Sequence, residues 1–348
     1  MKVCTCCFSD IELISFISSN STHKDKCDYC TNGINSDTIE IEELLDFFQS
    51  FLELFKVEEN GEPLINIIQD DWDLFADKSV AKNILSDILL KINTPFKKNI
   101  NQKVTYSELI TESVNYWDKL KDKLKWERRF TTDFRELEDY RWDSIFSEKI
   151  SGIIINSDIE NLFRARIHLN GQSNSYTSQE MGTPPKEKVL AGRANPQGIP
   201  FLYLSEDKRT TLYEVRASYL DEVSIGTFKV IEPIKLIDFT SAVQNSIFEA
   251  SQRYPNLEEF VIGILLKKKI SADLSRPQRR YDSELEYIPT QFICEFIKHL
   301  TGADGIKFSS SLDSEKGNNI VLFATNKVEC TSVERVRINK INIDSEMF

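Results

Sequence analysis

Histidine is scarce in this chain, with only His23, His168 and His299 among 348 residues, so few imidazoles are available as general bases. No Gly-x-Gly-x-x-Gly follows a strand-like run, and no Gly-x4-Gly-Lys-Ser/Thr occurs. Those two absences exclude a Rossmann dehydrogenase and a P-loop ATPase. No apolar run approaches the roughly 18 residues of a membrane span. The start, Met1-Lys2-Val3-Cys4, lacks the apolar core of a secretory signal, so a cytoplasmic protein without membrane contact is expected. Basic charge is short as well: 43 Lys and Arg face 55 Asp and Glu, for a net charge of −12. Basic residues concentrate only at 267–270 and 276–280, too little for a nucleic-acid footprint.

What is present fits two soluble domains, with 41% hydrophobic and 28% charged residues over a length sufficient for two cores. Five of the seven cysteines fall in the first thirty residues: Cys4, Cys6, Cys7, Cys27 and Cys30. Cys294 and Cys330 are expected to pack as small apolar residues, and nothing suggests a disulfide framework. Cys4-x2-Cys7 and Cys27-x2-Cys30 are two pairs with the spacing of a tetrahedral Zn²⁺ site. Four thiolates would close the coordination shell, so the metal is expected to be structural, in a zinc knuckle over 1–35. Cys6 can also replace a neighbour in that set.

Residues 36–150 read as helices. Ile39–Phe55, Ser79–Leu90 with Ser79 as cap, Thr105–Trp126 and Thr132–Phe146 carry apolar residues at three-to-four spacing. Trp72, Trp117, Trp126 and Trp142 are read as anchors of that helical core. From Gly152 onward the pattern changes to short β-rich runs at 153–155, 201–204, 224–231, 234–239, 306–308 and 319–323, with helices over 212–220 and 287–300.

Within this second half lies Ala191-Gly-Arg-Ala-Asn-Pro-Gln-Gly-Ile-Pro-Phe-Leu-Tyr-Leu-Ser205, with Glu214 nine residues on. Phe163-Arg164-Ala165-Arg166 precedes it and Phe308-Ser309-Ser310-Ser311 follows far downstream. This order of strand-borne Arg, Tyr, Glu and Ser resembles the RES domain, named for its arginine, glutamate and serine. The resemblance covers roughly 153–325. It implies an α+β fold: a helical N-terminal domain with a zinc knuckle, then a mixed β-sheet domain at 151–330 resembling ADP-ribosyltransferases, then a tail at 331–348. The arrangement of knuckle and helices resembles the domain fused to RES domains, commonly related to the HEPN superfamily. Its ribonucleases use an arginine and a histidine four to six residues later. Arg128, Arg129, Arg135 and Arg141 have no such histidine, which argues against RNA cleavage.

The resemblance implies NAD⁺ as substrate and cleavage of its nicotinamide–ribose bond. That chemistry needs a carboxylate near the developing ribosyl cation, cations on the diphosphate and an aromatic wall for nicotinamide. Matching the motif, Glu214 takes the first role; its rival reading is a first-turn helix carboxylate favoured by the dipole. Arg193 is assigned to the diphosphate or ribose. Ser310 is taken as the family serine, binding the carboxamide or ribose and not acting as nucleophile. One of Arg164 and Arg166 contacts NAD⁺. Tyr203 is either core or a nicotinamide contact, and Gln291 is a further pocket residue. The sequence departs from the family at Gly192-Arg193-Ala194, where a tryptophan usual after the arginine is missing. It also departs at 267–287, read as a basic loop or substrate lid, and at the longer loop 312–317. The function implied is an NAD glycohydrolase or phosphorylase acting as a toxin or anti-phage effector, self-associating and partnered by an antitoxin or sensor. The alternatives are protein ADP-ribosyl transfer and a zinc-containing nucleotide-binding interaction protein.

Overall fold

The computed structural model describes residues 1–32, 34–94, 96, 99–131, 134–140, 142, 146, 152–155, 161–169, 172, 174–240, 246–276, 284–310 and 317–341. They divide into two units, Met1–Asn115 with Ser241–Leu265, and Tyr116–Thr240 with Leu266–Phe348.

In the first unit, strands β1 (Lys2–Cys4), β2 (Lys24–Lys26) and β3 (Ile34–Glu40) form an antiparallel sheet in the order β1-β3-β2. Strands β4 (Phe55–Pro63) and β5 (Lys103–Tyr106) make a separate antiparallel pair. Helices surround them. Ile11–Asn20 starts at Asp10, whose carboxylate accepts from the backbone N–H of Glu12 and Leu13 at 3.1 Å. The core is rich in phenyl rings: Phe47 lies 5.2 Å from Phe248, Phe48 6.2 Å from Phe75, and Phe51 6.2 Å from Trp72. These rings bury large apolar areas where helices Leu45–Leu52, Leu64–Trp72 and Ile247–Arg253 meet.

Several sequence expectations change here. The single helix read over Ile39–Phe55 is the end of β3, a 3₁₀ turn Ile41–Leu44, the helix Leu45–Leu52 and the start of β4. Its apolar residues are buried except for half-buried Leu45, so burial rather than one helical face sets the pattern. The cap of helix Lys78–Lys91 is Asp77, which accepts from Ser79 and Val80 N–H at 2.8 and 2.9 Å; Ser79 lies inside. Thr105 and Tyr106 belong to β5, and the following helix is Glu108–Trp126. Of Thr132–Phe146, Phe134–Asp139 is helical, and 132, 133, 141 and 143–145 lie outside the described residues.

The second unit is built on an eight-stranded mixed sheet. Its strands are β6 (Gly152–Ile155), β7 (Leu162–Ile167), β8 (Leu202–Ser205), β9 (Glu222–Val230), β10 (Ile234–Asp238), β11 (Gly305–Ser309), β12 (Asn318–Leu322) and β13 (Val328–Arg337). The order is β13-β9-β7-β8-β12-β11-β10-β6, antiparallel throughout except for the parallel pair β10 and β11. An α+β chain with a mixed sheet is thus what the structure shows. Leu162, Leu202, Leu204, Phe228, Leu236 and Ile320 pack as its core on one face. Strand β13 pairs with β9 from Val328 opposite Val230 to Arg337 opposite Glu222, so residues 331–337 join the sheet instead of forming a tail.

Trp117 and Trp142 are fully buried with ring centroids 6.0 Å apart, as core anchors should be. Trp126, also read as a core anchor, is 70% exposed at the end of helix Glu108–Trp126. The basic stretch read as a lid over 267–287 begins inside the helix Leu257–Ser275, and 277–283 lie outside the described residues.

Lys267 on that helix is 1% exposed. Burial holds its ammonium down to a pKa of about 8, with the Asp238 carboxylate offsetting part of the effect. Below pH 8 both folded and unfolded chains carry the proton, and the folded state bears the whole cost of a buried charge. Between about 8 and 10.5 the folded lysine releases its proton while the unfolded one keeps it, so stability rises with pH. Lys267→Met should therefore stabilise the protein at pH 7 by on the order of 2 kcal/mol. Thermal unfolding should show that gain shrinking from pH 8 to 10.5; a gain independent of pH would refute the assignment.

Candidate active site and cysteine cluster

Glu214 is the last residue of helix Lys208–Glu214, which begins at Asp207, whose side chain accepts from Thr210 N–H at 2.9 Å. Arg216, at φ 52°, then turns the chain out of helical geometry. This placement removes the first-turn reading: the dipole at a helix C-terminus opposes a carboxylate. Compensation comes from elsewhere in the fold. Ser310 Oγ donates to Glu214 Oε1 at 2.8 Å, and Asn319 Nδ2 donates to the same oxygen at 2.6 Å. Among the described residues both donors meet Oε1 and none meets Oε2.

The two donors arrive from different strand ends. Ser310 directly follows β11, and its N–H donates to the Gly317 carbonyl at 2.7 Å. Gly317 sits so close to the helix that a Cβ there would come within 1.9 Å of Thr210 Oγ1 and 2.7 Å of Asp207 Oδ2. Only glycine lets this segment close onto the helix carrying Glu214. Asn319 lies on β12 opposite Ser205 of β8, and Ser205 Oγ donates to Asn319 Oδ1 at 2.6 Å. Ser205, Ser310 and Asn319 are all buried. Sequence reasoning missed Ser205 and Asn319; their one signal was a polar residue at the edge of each of two apolar strands.

Arg193 sits on a loop fastened at nearly every residue. Gly192 N–H donates to the Asn195 carbonyl at 2.9 Å, and Gln291 Nε2 donates to the Gly192 carbonyl at 2.8 Å. Thr290 Oγ1 donates to the Arg193 carbonyl at 2.6 Å. Tyr203 Oη accepts from Ala194 N–H at 3.0 Å and donates to Asn195 Oδ1 at 2.7 Å. A Cβ on Gly192 would lie 2.7 Å from that same hydroxyl, which explains the glycine before the arginine. Burial pushes the Tyr203 phenol well above its ordinary value, so it stays a neutral donor. Tyr203 and Gln291 therefore appear here as supports of the arginine loop. The guanidinium itself donates to the Leu274 carbonyl in the last turn of helix Leu257–Ser275.

Arg164 and Arg166 share one partner, the Gly182 carbonyl, at 3.0 and 2.9 Å. Strand alternation puts them on the face of β7 opposite to Phe163, the cross-strand neighbour of Ser205, so the register does not bring them into the Glu214 group. Burial, then the neighbouring Arg166, lowers Arg164 to about 10, which leaves it charged at neutral pH. Among the described residues no carboxylate pairs with it. Arg166 stacks 5.6 Å from the Tyr176 ring.

In the first unit, the Sγ atoms of Cys4, Cys7, Cys27 and Cys30 all lie within 4.8 Å of one another. Cys4 and Cys7 are 3.8 Å apart, Cys4 and Cys30 3.5 Å, Cys7 and Cys27 3.4 Å. Tetrahedral thiolates on a metal with bonds of about 2.3 Å stand roughly 3.8 Å apart, so this group can hold one metal ion. Tyr29 N–H donates to Cys27 Sγ at 3.3 Å. Within the cluster the Cys4 and Cys7 thiols donate toward Cys27, so the Cys27 thiol sits below its usual range while those of Cys4 and Cys7 sit above it. Cys6 is exposed and faces Ser36 Oγ at 3.8 Å, outside the four.

No curated protein matches the sequence. Among solved structures, the M. tuberculosis MbcT–MbcA toxin–antitoxin complex is similar at 12% identity, with 56% of this chain and 91% of that chain covered and a TM-score of 0.31. A family model described as the RES domain matches residues 161–344, which take in Arg164, Arg193, Tyr203, Glu214, Ser310 and all but the first strand of the mixed sheet. That match covers more than half of the chain, and the protein belongs to the RES domain family.

Proposed function

We propose that this protein cleaves the nicotinamide–ribose bond of NAD⁺. The observation that carries the reading is the Glu214 carboxylate, with Ser310 and Asn319 both donating to Oε1. In the cleavage the C1′–N bond breaks, its electron pair leaves with neutral nicotinamide, and positive charge spreads over the ribose ring. A carboxylate oriented before the reaction stabilises that charge without reorganising. The captured ribosyl cation then bonds to water, giving ADP-ribose, or to phosphate, giving ADP-ribose 1″-phosphate. Ser310 acts through the carboxylate it orients. Arg193, on its fixed loop, binds the diphosphate. The four cysteines hold a structural Zn²⁺, for which an all-thiolate donor set is well suited.

In the cell this activity serves a toxin or defence effector that depletes NAD⁺ and is restrained by a partner. The test is purified protein with NAD⁺, with and without phosphate, products resolved by mass. Nicotinamide release supports the reading, and no release overturns it. Label carried onto protein would point to ADP-ribosyl transfer instead. Growth arrest on expression while cellular NAD⁺ stays constant would remove the toxin role.

Arg193→Ala should raise KM for NAD⁺ about tenfold and also lower kcat, because the diphosphate grip positions the ribose. Steady-state kinetics check this; unchanged KM would take the diphosphate away from Arg193.

A further inference from the structure

We propose that Ser205 and Asn319 form a positioning relay that sets the orientation of the Glu214 carboxylate; the proposal rests on Glu214 acting in NAD⁺ cleavage. Asn319 is 5% exposed and Ser205 3% exposed, and they face each other across the β8–β12 ladder. Buried polar side chains in strands are costly unless every group has a partner. Here each finds one: the Ser205 hydroxyl donates to Asn319 Oδ1 at 2.6 Å, and Asn319 Nδ2 donates to Glu214 Oε1 at 2.6 Å.

The direction of the relay follows from the chemistry of its ends. An ionised carboxylate only accepts, so the amide must turn its NH₂ toward Glu214; reversed, two oxygens would face each other at that distance. The Ser205 hydroxyl, donating to the amide oxygen, holds that orientation. Two donors on Oε1 are needed because Glu214 ends its helix, where unsatisfied carbonyls repel negative charge. Ser310 supplies one donor from the chain after β11, and Asn319 supplies the other from the sheet itself. The carboxylate is thereby tied to the ladder rather than to a loop alone.

Three variants test the relay. Asn319→Ala should lower kcat about tenfold to a hundredfold with KM within about twofold, the signature of an interaction that matters in the transition state. Ser205→Ala should lower kcat less, about threefold to tenfold, and Ser205→Thr, which keeps the hydroxyl, should restore it. Asn319→Asp sets a second carboxyl against the first. Two such groups share a proton, so the acid limb of the kcat profile should move up by about one pH unit or more. An unmoved limb, or Ser205→Thr as impaired as Ser205→Ala, overturns the relay. Carbon-13 titration of the glutamate carboxyls in folded protein follows the same contact without turnover. Asn319→Asp should shift one glutamate resonance, the one that Glu214→Gln deletes. If the parent protein releases no nicotinamide, the NAD⁺ reading fails, yet that titration still decides the relay: no shift overturns it.

Discussion

Glu214→Gln should lose on the order of 10²–10³ in kcat for NAD⁺ cleavage while leaving KM and folding nearly unchanged. Glutamine has the same shape, and its amide oxygen can still accept from Ser310 and Asn319, the two donors that meet at Oε1. What it lacks is the negative charge that the ribosyl cation requires. Ser310→Ala should cost much less, about fivefold to tenfold, since Asn319 continues to hold the carboxylate. That asymmetry separates a group facing the developing charge from one that positions it. Rapid-quench measurement of nicotinamide release, with circular dichroism to confirm folding, checks both variants. Cleavage by Glu214→Gln at near the parent rate would move the chemistry to another carboxylate, such as Glu284 or Glu295.

Much of this site can be read from the chain, but only as a list of residues. Arg193 before a Pro/Gly turn, Glu214 after the Tyr203 strand and Ser310 after Gly305-Ile306 are local patterns. Asn319, the partner of Glu214, shows locally only as a polar residue at the edge of an apolar strand, because its role arises from the β8–β12 register and from a helix ending at Glu214. Register depends on pairing between distant segments, which periodicity does not specify. The same limit explains Lys267: a run of lysines reads as a solvated loop, yet helix Leu257–Ser275 buries one of them completely. It also explains β4, whose charged sequence from Lys56 to Glu62 looks unlike a strand, yet its two ends pair with β5 on either side of a register shift between Val57 and Glu62. Glu214 was open to two readings, and the helix boundary separates them: a carboxylate at the last helical residue gains nothing from the dipole. The cysteine pairs were legible to the residue, because a tetrahedral ion constrains spacing along the chain as well as in space.

That constraint leads to the second large effect. Metal analysis of purified protein should give one zinc per chain, and Cys27→Ser with Cys30→Ser should abolish it. Serine hydroxyls do not ionise at neutral pH and cannot replace thiolates. The segment has little else to hold it: β1 and β2 span three residues each. Cys4 and Cys7 are fully buried, so without a metal their thiols become ordinary apolar contacts. Structural zinc in small peptides contributes roughly 10–16 kcal/mol of binding free energy, much of it expressed as folding. Loss of the metal should therefore expose the first thirty-odd residues to proteolysis and lower the unfolding temperature. The contact that spreads the effect within the unit is Tyr29, whose hydroxyl donates to Asp87 at 2.9 Å on helix Lys78–Lys91. A chelator strong enough to strip the ion should reproduce the variant. A catalytic metal would behave differently: turnover would fall on chelation with stability intact, because such a site keeps an open position for substrate. Four thiolates within 4.8 Å of one another fill all four positions, so stability is the property that should fall first.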